Sequence, residues 1–169
     1  MYGSIIGGVM QCGACDVKCV TCQGKADNCT KCPWGYFLIN GTCLSSCPNG
    51  YFANPDPTIS SCLPCQPPCL VCLSSTSCKI CQSNYYLTPT STCTSNCSSL
   101  STSTTSYITS PLNSSCIPCP SNCMTCSYSS STSTIPKCTQ CTLPYHLYLS
   151  QCVFDCPTTT YYNSTLNSC

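Results

Sequence analysis

Helical periodicity is absent from this chain. Apolar positions recur at spacing two instead, in short stretches, and proline or cysteine interrupts nearly every window of ten residues, which breaks helices. A tyrosine stands four residues after each of three cysteines, with a leucine two residues further on: Tyr36 and Leu38 after Cys32, Tyr85 and Leu87 after Cys81, Tyr145 and Leu147 after Cys141. Phe37, Tyr86 and His146 lie between them. Spacing two puts each tyrosine and leucine on one face of a short strand. Asn40-Gly41 follows the first strand and suits a two-residue turn. Each stretch is therefore expected to be a small hairpin ending at the next cysteine (Cys43, Cys93, Cys152). A second aromatic cluster, Tyr51-Phe52 and Tyr161-Tyr162, follows Cys47 and Cys156, whereas after Cys97 a Ser/Thr-rich insertion, residues 98–106, precedes Tyr107. Another polar insertion, residues 127–135, separates Cys126 from Cys138, where the equivalent spacers hold five or six residues. Length variation confined to these places predicts exposed loops.

These strands sit in a larger beat set by cysteine, which fills 25 of the 169 positions. Eight cysteines recur three times, beginning at Cys15, Cys65 and Cys119, and Cys12 is left over. The starts are 50 and 54 residues apart, a period that signals stacked units rather than one globule. The expected divisions are 1–14, the end of a preceding repeat, then repeats 15–64, 65–118 and 119–169. Cysteine at about 15% exceeds the ~8–10% that marks a disulfide scaffold. Units of about 50 residues need covalent or metal staples in place of a large core. So many cysteines point to an oxidising, extracellular compartment.

Charge is scarce: five Lys and Arg together, four Asp and Glu, net +1. No basic patch exists for phosphate contacts, so nucleic acid is not an expected partner. No apolar run approaches the ~20 residues of a membrane span, and direct membrane insertion is not expected. Solubility falls to 28 serines and 22 threonines and to sugars. The segment Ser4–Met10 is too short and lacks the basic flank of a signal peptide, so the chain is expected to be a mature product or a piece of a longer one.

Nine CxxC pairs occur, from Cys12/Cys15 to Cys138/Cys141, and three devices compete for them. Zinc held by four thiolates leaves a net negative site, and five lysines offset little of it; the short spacers also depart from zinc-ribbon spacing. Redox catalysis needs a thiol at a helix N-terminus, and no helix is expected. Structural disulfides fit best. Here the frame C-x3-C-x2-C-x5-C-x2-C-x11-C-x3-C-x18-C from Cys65 to Cys116, the Tyr-x-Leu stretches and Cys47-Pro48-Asn49-Gly50-Tyr51 resemble the furin-like repeats of the growth-factor-receptor cysteine-rich type. The long 127–137 spacer and the missing Pro-x-Gly-Tyr of the middle repeat depart from that pattern. The resemblance implies pairing of first with third, second with fourth, fifth with sixth and seventh with eighth cysteine. The implied bonds are Cys15–Cys22, Cys19–Cys29, Cys32–Cys43 and Cys47–Cys62; Cys65–Cys72, Cys69–Cys78, Cys81–Cys93 and Cys97–Cys116; and Cys119–Cys126, Cys123–Cys138, Cys141–Cys152 and Cys156–Cys169. Cys12 matches an eighth cysteine, and its partner is expected upstream in a longer precursor or on another chain.

Sequons for N-linked sugar stand at Asn28, Asn40, Asn96, Asn113 and Asn163. Asn28 and Asn96 have cysteine in the middle position, so Asn40, Asn113 and Asn163 are the stronger acceptors, and the Ser/Thr segments are candidates for O-linked sugar. Tyr36, Tyr85 and Tyr145 recur with the repeat, as packing residues do, and are expected to cover disulfides. Trp34 is read as local packing and His146 as a positional variant of Phe37 and Tyr86. One His, no Glu and no free thiol expected leave no acid–base or nucleophilic constellation, so no catalytic residue, metal ligand or cofactor is expected.

The fold class expected is small and disulfide-rich: a tandem array of three cysteine-stapled modules with short β hairpins, little or no helix, forming an elongated rod. The expected role is that of an extracellular structural glycoprotein of cell surface or matrix, self-associating or joined to another surface protein as a subunit of a fibrous assembly. Its low charge and Ser/Thr content resemble the cysteine-rich surface proteins of protists. A ligand-binding receptor ectodomain and a zinc-binding CxxC protein are the alternatives.

Overall fold

The computed structural model describes residues 2–6, 9–56 and 58–169. Two compact units divide the chain, residues 1–80 and 81–169. Among the described residues every sheet has two strands, as expected where prolines and cysteines stop each strand within a few residues.

The first unit opens with β1 (Tyr2–Ile6) paired to β2 (Val9–Gly13). In the first repeat β3 (Thr21–Cys22) pairs β4 (Cys29–Lys31), β5 (Phe37–Ile39) pairs β6 (Thr42–Leu44), and β7 (Tyr51–Ala53) pairs β8 (Cys62–Pro64). The strand β9 (Cys69–Cys72) then pairs β10 (Cys78–Cys81). Asn40 and Gly41, at φ +47° and +75°, form the turn between β5 and β6, both in the left-handed region that such hairpin turns require.

The second unit carries β11 (Tyr86–Leu87) with β12 (Cys93–Thr94), then a 3-10 helix over Cys97–Leu100, then β13 (Tyr107–Thr109) with β14 (Cys116–Pro118). Asn96 caps that helix, its Oδ1 accepting from Ser98 N at 2.9 Å. The third repeat adds β15 (Cys123–Ser127) with β16 (Lys137–Cys141) and β17 (His146–Tyr148) with β18 (Gln151–Val153). Its last hairpin is reduced to a single bridge between Asn163 and Ser168. The insertion at 98–106 therefore delays the middle repeat's second aromatic hairpin without removing it: Tyr107 takes the place of Tyr51.

The three Tyr-x-Leu stretches enter β5, β11 and β17. Each leucine also forms a parallel bridge to the serine before its repeat's eighth cysteine: Leu38 with Ser61, Leu87 with Ser115 and Leu147 with Ser168.

Sulfur occupies the interior. Phe52 and Pro136 are the buried apolar residues other than cysteine among the described residues, while Cys97 and Cys123 are 2% and 1% exposed. Cys29, Cys32 and Cys43 form one cluster, against which Cys19 and Leu38 pack. Cys119, Cys123, Cys138 and Cys141 form another, covered by Ile108, Tyr145 and Leu147. Trp34 corrects the sequence reading: it is 98% exposed, carried outward on the turn closed by Tyr36 N donating to Pro33 O. Among the described residues no helix is long and apolar enough to cross a membrane.

Candidate functional site

Two features of the structure bear on function, the sulfur ladder and a groove in the second unit. In the ladder each repeat carries four disulfides. The first repeat holds Cys15–Cys22, Cys19–Cys29, Cys32–Cys43 and Cys47–Cys62. The second holds Cys65–Cys72, Cys69–Cys78, Cys81–Cys93 and Cys97–Cys116. The third holds Cys119–Cys126, Cys123–Cys138, Cys141–Cys152 and Cys156–Cys169. The sulfurs of Cys123, Cys138 and Cys152 lie within 4.8 Å of one another, with Cys138 Sγ 3.4 Å from Cys152 Sγ. All three are spent in disulfides, and a disulfide sulfur is not the thiolate that zinc requires.

Cys12 is an exposed free cysteine. In β2 it stands opposite Gly3, as Cys62 stands opposite Ala53 and Cys116 opposite Thr109. It thus occupies the slot of an eighth cysteine.

The five sequon asparagines differ in what their amides do. Asn28 donates from Nδ2 to Gln23 O at 2.9 Å, and its Oδ1 lies where a side chain on Gly41 would go, so the nitrogen that would carry sugar is engaged. Asn96, Asn113 and Asn163 instead use Oδ1, accepting from Ser98 N, from the Ser115 hydroxyl and from Thr165 N and Leu166 N. Asn40 and Asn113 are exposed and Asn163 is half-buried.

Of the three tyrosines expected to cover sulfur, Tyr145 does so, packing on the third repeat's cysteine cluster with Phe154 edge-on at 5.9 Å. Tyr36 does not: it is 42% exposed, and Leu38 covers the first repeat's cluster instead. His146 also does more than replace Phe37 and Tyr86. Its ring lies 4.3 Å from that of Tyr162, and its Nδ1 is 2.9 Å from Asn167 Oδ1. Asn167 Nδ2 donates to Tyr145 O at 3.1 Å. That bond turns Oδ1 toward His146, so Nδ1 is the donor. The Tyr162 hydroxyl reaches the same Oδ1 at 3.4 Å. His146 stands 21 positions from Asn167, beyond any local motif.

Tyr162 lines a groove of about 690 Å³ whose other wall is the segment Thr102–Ser106. The second repeat's insertion thus forms part of a concave surface as well as an exposed loop.

Comparison with known proteins follows the sulfur frame. A furin-like, cysteine-rich repeat matches residues 39–109, a cysteine-rich region and not a catalytic domain. Furin-like protease 2 of Drosophila melanogaster is 32% identical over 147 residues, 86% of this chain and 8% of that protein. Cysteine repeat modular protein 1 of Tetrahymena thermophila is 36% identical over 80 residues, 46% of this chain and 3% of that protein. Variant-specific surface protein VSP4A1 of Giardia intestinalis is 30% identical over 171 residues, 86% of this chain and 25% of that protein. The chain thus spans a quarter or less of the length of each.

Proposed function

The chain belongs to the furin-like cysteine-rich repeat family, and from that premise we propose that it works outside the cell as a non-catalytic structural array at a surface or in a matrix. The observation that carries this reading is the ladder of twelve disulfides, each closed inside one repeat. Such a ladder persists in an oxidising compartment and is lost in a reducing one. The surface protein of Giardia among its relatives supports the same location.

The proposal extends to three repeats divided at residues 15, 65 and 119 and arranged as an elongated array. N-linked sugar sits at Asn40, Asn113 and Asn163, and O-linked sugar on the segments 98–106 and 127–135. Copies of the chain, or another surface protein, join it end to end into a fibrous assembly. Repeats of this kind contact only their neighbours, which makes their ends the natural joining points. Electron microscopy of native material tests the assembly: regular filaments are expected, and single particles at all concentrations would replace the fibre by the receptor-ectodomain reading. Intact mass before and after glycosidase treatment tests the sugars, and an unchanged mass removes them.

A further inference from the structure

A residue that only holds a repeat together recurs in every repeat, so what occurs once is where a separate role is to be sought. The segment between Cys97 and Tyr107 occurs once, and it is built rather than loose. Thr102 N donates to Thr105 O at 2.8 Å, Thr105 N donates back to the Thr102 hydroxyl at 3.1 Å, and the Ser106 hydroxyl donates to Met124 O at 2.7 Å. Its residues Thr102–Ser106 wall the groove of about 690 Å³, a volume within the ~300–1,000 Å³ of small-molecule sites.

The lining chemistry selects a ligand class. No Asp, Glu, Lys or Arg lines the groove. Hydroxyls and the amide of Gln140 supply donors and acceptors of both kinds. Tyr162 supplies an aromatic platform, 47% exposed and backed by the His146 ring at 4.3 Å. Met124 and Leu143, 53% and 83% exposed, add apolar surface. A phosphate or sulfate would find no cation here. A wholly apolar ligand would strip water from the hydroxyls and amides without replacing their hydrogen bonds. A ring with one C–H face and a rim of uncharged hydroxyls satisfies both halves of the lining.

We propose that this groove is a binding site for an uncharged saccharide, its C–H face on Tyr162 and its hydroxyls on Gln140, Thr142 and the 102–106 segment. The site is independent of whether copies of the chain form fibres.

The test uses the full, oxidised chain and immobilised di- to tetrasaccharides of neutral hexose and N-acetylhexosamine, with a sulfated oligosaccharide as the charged comparator. The neutral probes are expected to bind and the sulfated one not to bind better. Tyr162→Ala is expected to weaken binding about tenfold or more, equivalent to ~1.4 kcal/mol. Tyr162→Phe should retain it, and Tyr161→Ala, at a position 81% exposed and outside the groove, should leave it unchanged. Gln140→Ala, at an exposed position, gives a second loss of binding should Tyr162→Ala disturb folding. The same sugar free and on a glycopeptide form two arms: binding of either supports the site, and the stronger arm identifies the source. No neutral probe bound at millimolar concentration, preference for the sulfated probe, or equal loss from Tyr161→Ala would each overturn it.

Discussion

The hydroxyl of Ser106 donates to the carbonyl oxygen of Met124 at 2.7 Å, and the carbonyl of Ser106 accepts from Cys119 N at 2.8 Å. Two bonds thus join the residue before β13 to the start of the third repeat. In the first unit Gly50 holds the matching place. It donates its amide to Leu70 O at 2.8 Å and accepts from Cys65 N at 2.8 Å. Leu70 and Met124 each follow the second cysteine of their repeat. One joint is therefore made with a backbone donor and the other with a side-chain donor.

Ser106→Ala removes one of the two bonds between the second and third repeats. The expected loss is about 1 kcal/mol, read as a lower denaturant midpoint at unchanged slope. An unchanged midpoint would mean that this hydroxyl bond contributes nothing to the joint.

Gly41 has φ +75°, and a Cβ there would collide with the Asn28 side-chain oxygen. Its carbonyl also accepts from Cys29 N at 2.7 Å, next to the buried sulfur cluster. Gly35 has φ +84° with open space around it. Alanine at either position meets the left-handed backbone cost of about 1–2 kcal/mol, and at Gly41 it meets a steric cost as well. Gly41→Ala is therefore expected to lower stability more than Gly35→Ala; the reverse order in thermal melts would contradict the packing described.

Asp56 is fully exposed. The Thr58 hydroxyl and backbone N–H both donate to its Oδ1, at 2.6 and 2.8 Å, and hold its carboxyl below the ordinary 3.8. A carboxyl depressed in the folded chain contributes stability above its unfolded pKa and loses it as pH falls through the folded value. NMR titration of Asp56 is expected to give a midpoint under 3.8, and Thr58→Ala to move it part of the way back, since the backbone donor stays. Identical midpoints in both chains would remove the side-chain bond as the larger cause.

How much of this was legible in the chain depends on the distance between partners. Tyr36–Leu38, Tyr85–Leu87 and Tyr145–Leu147 announced strands through local spacing, and β5, β11 and β17 stand there. The bridges from those leucines to Ser61, Ser115 and Ser168 did not show, because they pair residues more than twenty positions apart and leave no periodic trace. Trp34 misled: a lone tryptophan suggests packing, but this one rides on a tight turn with little core beneath it to enter. His146 looked like a substitute for Phe37 and Tyr86. Its role depends on Tyr162 and Asn167, which only the folding of the last segment brings alongside. Tyr36 failed as a cover for sulfur because its turn leaves it half outside, whereas Tyr145 gains Phe154 as a neighbour.

The disulfides close loops of unequal size. Cys97 and Cys116 are separated by 19 positions and Cys65 and Cys72 by 7. Chain-entropy arithmetic assigns about 3 kcal/mol to the first and about 2 kcal/mol to the second. Replacing each pair by alanines is expected to reproduce that order in denaturant melts. A larger loss from the shorter loop would show that packing around the sulfurs, and not restriction of the unfolded chain, governs their contribution.

The central claim is that locally closed sulfur bridges stand in for an apolar interior, and non-reducing peptide mapping with a thiol count tests it most directly. The account predicts twelve bonds, each spanning 7 to 19 positions, and one titratable thiol, at Cys12. A bond that joins two repeats, or several free thiols carrying bound zinc, would contradict it.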